Sequence, residues 1–242
     1  MFGAANRNWR KDMMRWDWLP PYLPLLFHGL QVTLLILIFS VVFGFILAVP
    51  IGLAQVTGNW FTHGIAKAFC NYIRGTPLLT QIWLLYYGVG SLFPLIPGMR
   101  ENLMWLIRLD AIYYVLFAFT LSFAGYEAEI MRGAFLSVPR GELEAARAFG
   151  MSPWKVTSRI WFPRAVLQVL PTLTGEVIGQ LKSTPLAFTL PVMDLMGATS
   201  KIRQDTFIIY EPLIFLALIY MALTFIITRA FGYLENLIPT RR

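Results

Sequence analysis

The feature that most constrains this chain is a long stretch without a single Lys, Arg, Asp or Glu, which lies between Asp17 and Lys67. A helix needs ~20 apolar residues to cross the hydrocarbon core of a bilayer. In lipid, a helix satisfies its backbone groups within one segment, whereas an open strand leaves them unpaired. The stretch therefore predicts a membrane-spanning helix at about 30–54.

Composition extends this prediction to most of the chain. Of the 242 residues, 57% are hydrophobic and 14% are charged, against roughly 25% charged residues in a typical soluble domain. Further apolar runs predict spans at about 67–92, 105–124, 165–190 and 211–232. We expect one transmembrane domain over residues 1–242, an all-α integral membrane bundle of five transmembrane helices.

Several function classes are disfavoured by what the sequence lacks. The formal charge of +7 is scattered between apolar runs, without the basic stripe of a nucleic-acid-binding protein. Cys70 is the single cysteine, and His28 and His63 lack ligands at metal-binding spacing. No Gly-x-x-x-x-Gly-Lys-Ser/Thr phosphate loop occurs. We therefore expect no nucleic-acid partner, no metal site, no bound cofactor and no catalytic residue.

An odd number of spans places the two termini on opposite sides of the membrane. With the amino terminus outside, the inner loops carry more Lys and Arg than the outer ones, as the positive-inside rule requires. The basic amino-terminal segment, which includes Arg7 and Arg10, is the main objection. A helix lying on the outer surface would accommodate it.

A polar segment of its own separates the third and fourth predicted spans, at 125–164. Within it, 141–150 is rich in helix formers, Arg140 and Glu144 are spaced to pair at i,i+4, and Gly150 suits the position just after a helix.

A second short helix should follow this first one. Ser152 and Pro153 suit its N-cap and first turn, and we expect it to end near Pro163. From composition alone, two interpretations stay open. The pair of helices forms a compact knob that enters a groove on another protein, or it is an amphipathic loop resting on lipid headgroups.

Specific motifs connect this segment to a known family. Glu144-Ala145-Ala146, followed by Gly150 and by 160–163, resembles the EAA motif of the membrane subunits of bacterial ATP-binding-cassette (ABC) importers. Further segments resemble those of the polar amino acid importers: His28–Leu34, Arg74–Leu79, Tyr126–Gly133 and Lys182–Ala187. The chain is most similar to the M-type permease subunits for histidine, lysine-arginine-ornithine and opines.

This resemblance implies a type I ABC importer permease fold whose cytoplasmic two-helix coupling (EAA) loop docks onto an ATPase subunit. The implied coupling residues are Gly141, Glu142, Glu144, Ala145, Ala146, Arg147, Phe149 and Gly150. The implied protein partners are two copies of the ATPase subunit, a second similar permease subunit that forms a heterodimer with this chain, and a periplasmic substrate-binding protein. The ATPase subunits hold ATP and Mg. The chain lies in the lipid bilayer of the bacterial inner membrane. Glu142 replaces a common Gln, and Pro185, which replaces a common Ser, is expected to kink the fourth span.

Glu176 lies close to the middle of the fourth predicted span. An ionisable group there is costly and marks a functional hypothesis, and a carboxylate can receive a guanidinium through two parallel hydrogen bonds. A cross-helix ion pair and a buried proton carrier are the alternatives, since Lys182 at i+6 points to another helical face. Family similarity favours a basic amino acid or a guanidino-bearing opine as cargo.

Other cargoes and other protein classes remain as alternatives. An importer of the glutamine/glutamate type is the nearest. A gradient-driven carrier usually has more spans, related by repeat symmetry. A membrane-embedded enzyme would need a richer polar cluster than Glu176 and Lys182 provide.

Overall fold

The structure is a computed structural model that describes residues 16–88 and 110–237. Across these two ranges the chain is helical, with no strand. The basic amino-terminal segment and the beginning of the third predicted span lie outside the described residues.

The helices are numbered here in chain order. They are α1 (Leu19–Thr57), α2 (Trp60–Gly75), α3 (Leu78–Trp83, followed by a π-helical turn at Leu84–Gly88), α4 (Ala111–Ser137), α5 (Arg140–Ala148), α6 (Pro153–Val156, followed by a π-helical turn at Thr157–Trp161), α7 (Phe162–Ser183, followed by a 3-10 turn at Thr184–Thr189), α8 (Leu195–Thr206) and α9 (Tyr210–Leu237).

Three of these helices are long and apolar enough to cross a membrane: Leu19–Thr57, Ala111–Ser137 and Tyr210–Asn236. They coincide with the first, third and fifth predicted spans. The second predicted span is divided between α2 and α3, and the fourth corresponds to α7 with its 3-10 turn. The count of five spans stays a prediction.

Helix α4 forms the centre of the bundle and packs along α1. Two glycines of α1 make this close approach possible. A Cβ on Gly52 would lie 2.8 Å from the carbonyl oxygen of Ala128, and one on Gly44 would lie 2.8 Å from the Phe123 ring. Their missing side chains therefore set the distance between the two helices.

Helix α1 begins well before the predicted start of the first span at residue 30. Pro20 and Pro21 lie in its first turn, where a missing backbone N–H costs no intrahelical hydrogen bond. Trp18 at its N-cap is buried against Ala198 and Ile202 of α8. The helix start is thus part of the packed bundle.

Helix α4 also exceeds its prediction, because it continues to Ser137 rather than ending at residue 124. The polar composition of 125–164 as a whole predicts that the third span ends at residue 124. In the structure Glu127 is buried, and Arg132 pairs with Glu129 across one helical turn. The first part of the predicted loop 125–164 is therefore helix.

Thr favours helix N-caps and Pro favours the first helical turn, so Thr76 and Pro77 predict a break within the second span. The break is present, but Thr76 is not the N-cap of the following helix. Thr76 ends α2, and its hydroxyl donates to the carbonyl of Tyr72. Pro77, rather than Thr76, is the N-cap of α3. Nε2 of Gln81 donates to the carbonyl of Ile73 at 2.9 Å, which ties the two helices together across the break.

The 3-10 turn after α7 carries Pro185 in its first turn. The α-helix ends at Ser183, one residue before the position that a proline disfavours for helix. The departure from α-helical geometry expected at Pro185 is therefore present.

Candidate functional site

The segment between α4 and α7, residues 138–161, forms a bend that we call the elbow. Its first helix, α5, runs from Arg140 to Ala148. Gly150 follows with φ +78°, a left-handed conformation that glycine adopts without the steric cost of a Cβ. The sequence predicted both this helix and the position of Gly150.

The second half of the elbow differs from its prediction. Ser152 is the N-cap of α6, but the helix does not end near Pro163. The chain continues through the π-helical turn at Thr157–Trp161 directly into α7. This wide turn changes the hydrogen-bond register just before Pro163, a residue that has no N–H to donate. The elbow is thus continuous with α7.

The inner face of the elbow is fixed to the bundle by apolar packing. Leu143 and Ala146 of α5 are buried in one cluster with Phe135, Val138 and Trp161. The indole Nε1 of Trp161 donates to the carbonyl of Phe135 at 2.8 Å. The elbow is therefore packed against the end of α4 and the start of α7.

An ion pair joins the elbow to α7. Nε of Arg164 donates to Oε2 of Glu142 at 3.0 Å, and its Nη2 donates to Oε1 at 3.1 Å. This two-pronged geometry orients both side chains. The predicted Arg140–Glu144 pair does not occur among the described residues, where the ion pair of α5 joins Glu142 to Arg164.

The outer face of the elbow carries unpartnered side chains. Six of the predicted coupling residues are exposed: Gly141, Glu144, Ala145, Arg147, Phe149 and Gly150. Glu142 is half-buried, and Ala146 faces the core. The Phe149 side chain is 90% exposed. Aromatic and Arg side chains, such as those of Phe149 and Arg147, are enriched at protein–protein interfaces.

Glu176 lies on α7 beside a cavity of about 200 Å³. The lining residues come from α3, α4 and α7: Leu78, Ser122, Phe123, Tyr126, Glu176, Gly179, Gln180 and Ser183. Nε2 of Gln180 donates to Oγ of Ser40 at 3.1 Å and to the carbonyl of Phe119 at 3.0 Å. These bonds fix one wall of the cavity.

Glu176 has no salt bridge within the described part of the chain. Its carboxylate interacts electrostatically with Arg74, whose guanidinium lies 6.0 Å from the ring centroid of Tyr126. Lys182 is exposed. The Glu176 carboxylate therefore borders the cavity with no salt bridge to Arg74 or Lys182 among the described residues.

Sequence reasoning did not single out Glu127, although it lies in the quoted segment Tyr126–Gly133. Glu127 is fully buried, and within residues 16–88 and 110–237 neither of its carboxylate oxygens has a hydrogen-bond partner. An acidic residue within an apolar helical pattern would have indicated its burial. The predicted third span ends at residue 124, so Glu127 was not considered part of that pattern.

The opposite end of the bundle contains a further buried acid, Asp194. It caps α8, and its Oδ1 accepts a hydrogen bond from the backbone N–H of Gly197 at 2.8 Å. Burial raises the pKa of Asp194 to about 6, and the backbone hydrogen bonds partly oppose this rise. Among the described residues no group of three or more His, Cys, Asp or Glu side chains could hold a metal ion.

Comparison with known proteins places these features in context. Residues 32–238 match the family described as "Binding-protein-dependent transport system inner membrane component". The octopine transport system permease protein of Rhizobium meliloti is 38% identical over 90% of this chain and 87% of its own length. The histidine/lysine/arginine/ornithine transport system permease protein of Salmonella typhimurium is 35% identical over 87% of this chain and 88% of its own length.

Solved structures share the fold. The crystal structure of an amino acid ABC transporter with histidines superposes with a TM-score of 0.78 at 26% identity, and covers 93% of this chain and 99% of that one. An inward-facing structure of the MetNI methionine ABC transporter, at 19% identity, superposes with a TM-score of 0.71 over 90% of this chain and 98% of that one.

Proposed function

Since the chain belongs to the family of binding-protein-dependent transport system inner membrane components, and is a permease subunit of an amino acid or opine ABC importer, we propose that it forms half of a translocation pathway for a basic amino acid or an opine. The elbow couples this pathway to an ATPase subunit. The single observation that carries the coupling proposal is an elbow exposed on one face and packed into α4 and α7 on the other.

The mechanism follows from this two-faced packing. A partner that pushes on the outer face of α5 transmits the displacement through Leu143 and Trp161, because close-packed interiors deform little. The Glu142–Arg164 pair links the same helix to α7. Helix α7 carries Glu176, so motion of the elbow alters the cavity beside that residue.

The cargo proposal depends on the Glu176 cavity. At about 200 Å³ it is smaller than the roughly 300–1,000 Å³ of a typical small-molecule site. A second permease subunit, similar but not identical, supplies the rest of the site in this proposal. The carboxylate of Glu176 then pairs with the guanidinium or ammonium group of the cargo, as the cargoes named for the two relatives favour.

We further propose five membrane spans with the amino terminus outside and the carboxyl terminus in the cytoplasm of a bacterium. The elbow then faces the cytoplasm, where two ATPase subunits hold ATP and Mg. A periplasmic binding protein delivers cargo at the other end. The permease chain itself is a non-catalytic component.

Uptake and ATP hydrolysis by the reconstituted importer test the two parts of this proposal. Glu144→Lys and Gly150→Pro are expected to uncouple ATP hydrolysis from uptake while the chain stays inserted. Normal uptake in both variants would refute the coupling role.

The cargo is tested with Glu176→Gln, which should strongly impair arginine uptake. Lys182→Gln, an exposed position on the same helix, is the matched control. Unimpaired arginine uptake by Glu176→Gln would remove the cargo assignment, and glutamine or glutamate uptake by the intact importer would establish the alternative.

A further inference from the structure

The most unusual side chain in the described bundle is Glu127 of α4. Its exposed fraction is 0%, and both carboxylate oxygens lack a hydrogen-bond partner. A buried acid without a partner destabilises a fold, so replacement by an apolar residue of similar volume would usually be neutral or favourable. Packing in this conformation therefore does not explain why an acid occupies position 127.

Ion pairing within the bundle does not account for Glu127. The charged group that acts on it is Glu176, another acid. In the described part of the chain no salt bridge joins Glu127 to a cation, and Arg132 is held instead by Glu129. A second subunit cannot reach Glu127 in this conformation, because the side chain is enclosed by its own chain.

The position of Glu127 relates it to the Glu176 cavity. Ser122, Phe123 and Tyr126 of α4 form one wall of that cavity. Glu127 follows Phe123 by four residues, so it lies on the same face of α4, one turn nearer the elbow. Phe123 is buried in one cluster with Val177 and Leu181 of α7, so Glu127, one turn away on the same face of α4, also lies toward α7. The two carboxylates therefore lie at successive levels between α4 and α7.

We propose that Glu127 is a second cation-binding carboxylate of the translocation pathway, covered here and uncovered when the elbow moves α7 relative to α4. The cationic side chain of the cargo, a guanidinium or an ammonium, binds Glu176 first and Glu127 next. This inference rests on the proposed function, since it requires a cationic cargo and a mobile α7. It assigns the path of the cargo to the seam that leads from the cavity toward the elbow.

The first test measures arginine uptake by the complete reconstituted importer carrying Glu127→Gln. We expect the maximal rate of uptake to fall about tenfold or more, with a smaller change in KM. The variant loses a charge-assisted hydrogen bond to the cargo at residue 127, whereas binding at Glu176 is unchanged. Glu127→Asp should restore part of the rate. Asp110→Asn, an exposed acid at the amino-terminal end of the same helix, is the matched control.

Co-elution of Glu127→Gln with the ATPase subunit establishes that the variant is folded. A folded Glu127→Gln importer with a rate within about twofold of the original would overturn the inference. The inference would also be overturned if Glu127→Asp transported arginine no faster than Glu127→Gln.

The second test does not depend on the cargo. In a Cys70→Ser background the chain has no cysteine, and Glu127→Cys introduces one at the proposed second binding position. A cationic methanethiosulfonate reagent should label this position during ATP turnover and not in the resting complex. It should react faster than an anionic reagent, because Glu176 is nearby.

Absence of labelling during turnover would overturn the inference even where arginine is transported. Conversely, labelling of Glu127→Cys in an importer that does not transport arginine would remove the proposed cargo and keep the position of Glu127 in the pathway. The two tests therefore separate failure of this inference from failure of the proposed function.

Discussion

The exposed ring of Phe149 at the end of the elbow allows a quantitative prediction for the ATPase interface. Complete burial of a Phe side chain is worth about 1.5–3 kcal/mol. Because Phe149 is 90% exposed in the isolated chain, nearly all of this free energy remains available to a partner. At about 1.4 kcal/mol per tenfold change in Kd, Phe149→Ala should weaken ATPase binding by about 10- to 150-fold.

The same variant should leave the free energy of unfolding of the permease nearly unchanged, because the ring makes little contact with its own chain. Phe207→Ala is the matched control, since Phe207 is 88% exposed at the opposite end of the bundle, after α8. A titration of ATPase subunit onto the permease in lipid nanodiscs gives the Kd. Equal Kd values for both variants and the unmodified chain would refute the reasoning.

Three further predictions concern the stability of the bundle in detergent, measured by thermal unfolding. Gly52→Ala should destabilise it by about 1–3 kcal/mol through overpacking against α4, whereas Gly64→Ala, where a Cβ meets nothing within 4 Å, should be neutral or stabilising; equal effects would contradict the close packing. Trp161→Phe should cost about 1 kcal/mol from loss of the hydrogen bond to the Phe135 carbonyl, and an unchanged stability would show that this bond contributes nothing. Folding raises the pKa of Asp194 to about 6 from an ordinary value of 3.8. Between these pH values the folded chain binds more protons than the unfolded chain, so its stability falls as pH rises. Asp194→Asn should flatten this dependence of stability on pH, and an unchanged slope would contradict the assignment.

Local sequence signals predicted the elements that depend on neighbouring residues alone. The uncharged stretch after Asp17 contains α1, and the break at Thr76 and Pro77 lies where the residue types indicated it. Gly150 occupies the left-handed position expected after α5. In each case the determining interaction lies within a few residues along the chain.

The errors have a common physical origin in interactions between distant parts of the chain. The ion pair of α5 is formed by Glu142 and Arg164, not by Arg140 and Glu144 as predicted. The position of Arg164 relative to α5 depends on how α5 packs against α7. The predicted end of α4 at residue 124 is too early, because the polar composition of 125–164 does not distinguish a buried acid from an exposed one. The burial of Glu127 depends on surrounding helices, which no local pattern records.

The central claim is that the outer face of the elbow contacts the ATPase subunit. Ala145 is exposed on that face, and in the Cys70→Ser background Ala145→Cys carries a single thiol for a photoactivatable cross-linker. In the assembled importer we predict a cross-linked product with the ATPase subunit from this position, and none from Phe207→Cys in the same background. A product with the ATPase from Phe207→Cys alone, or none from Ala145→Cys, would contradict the account.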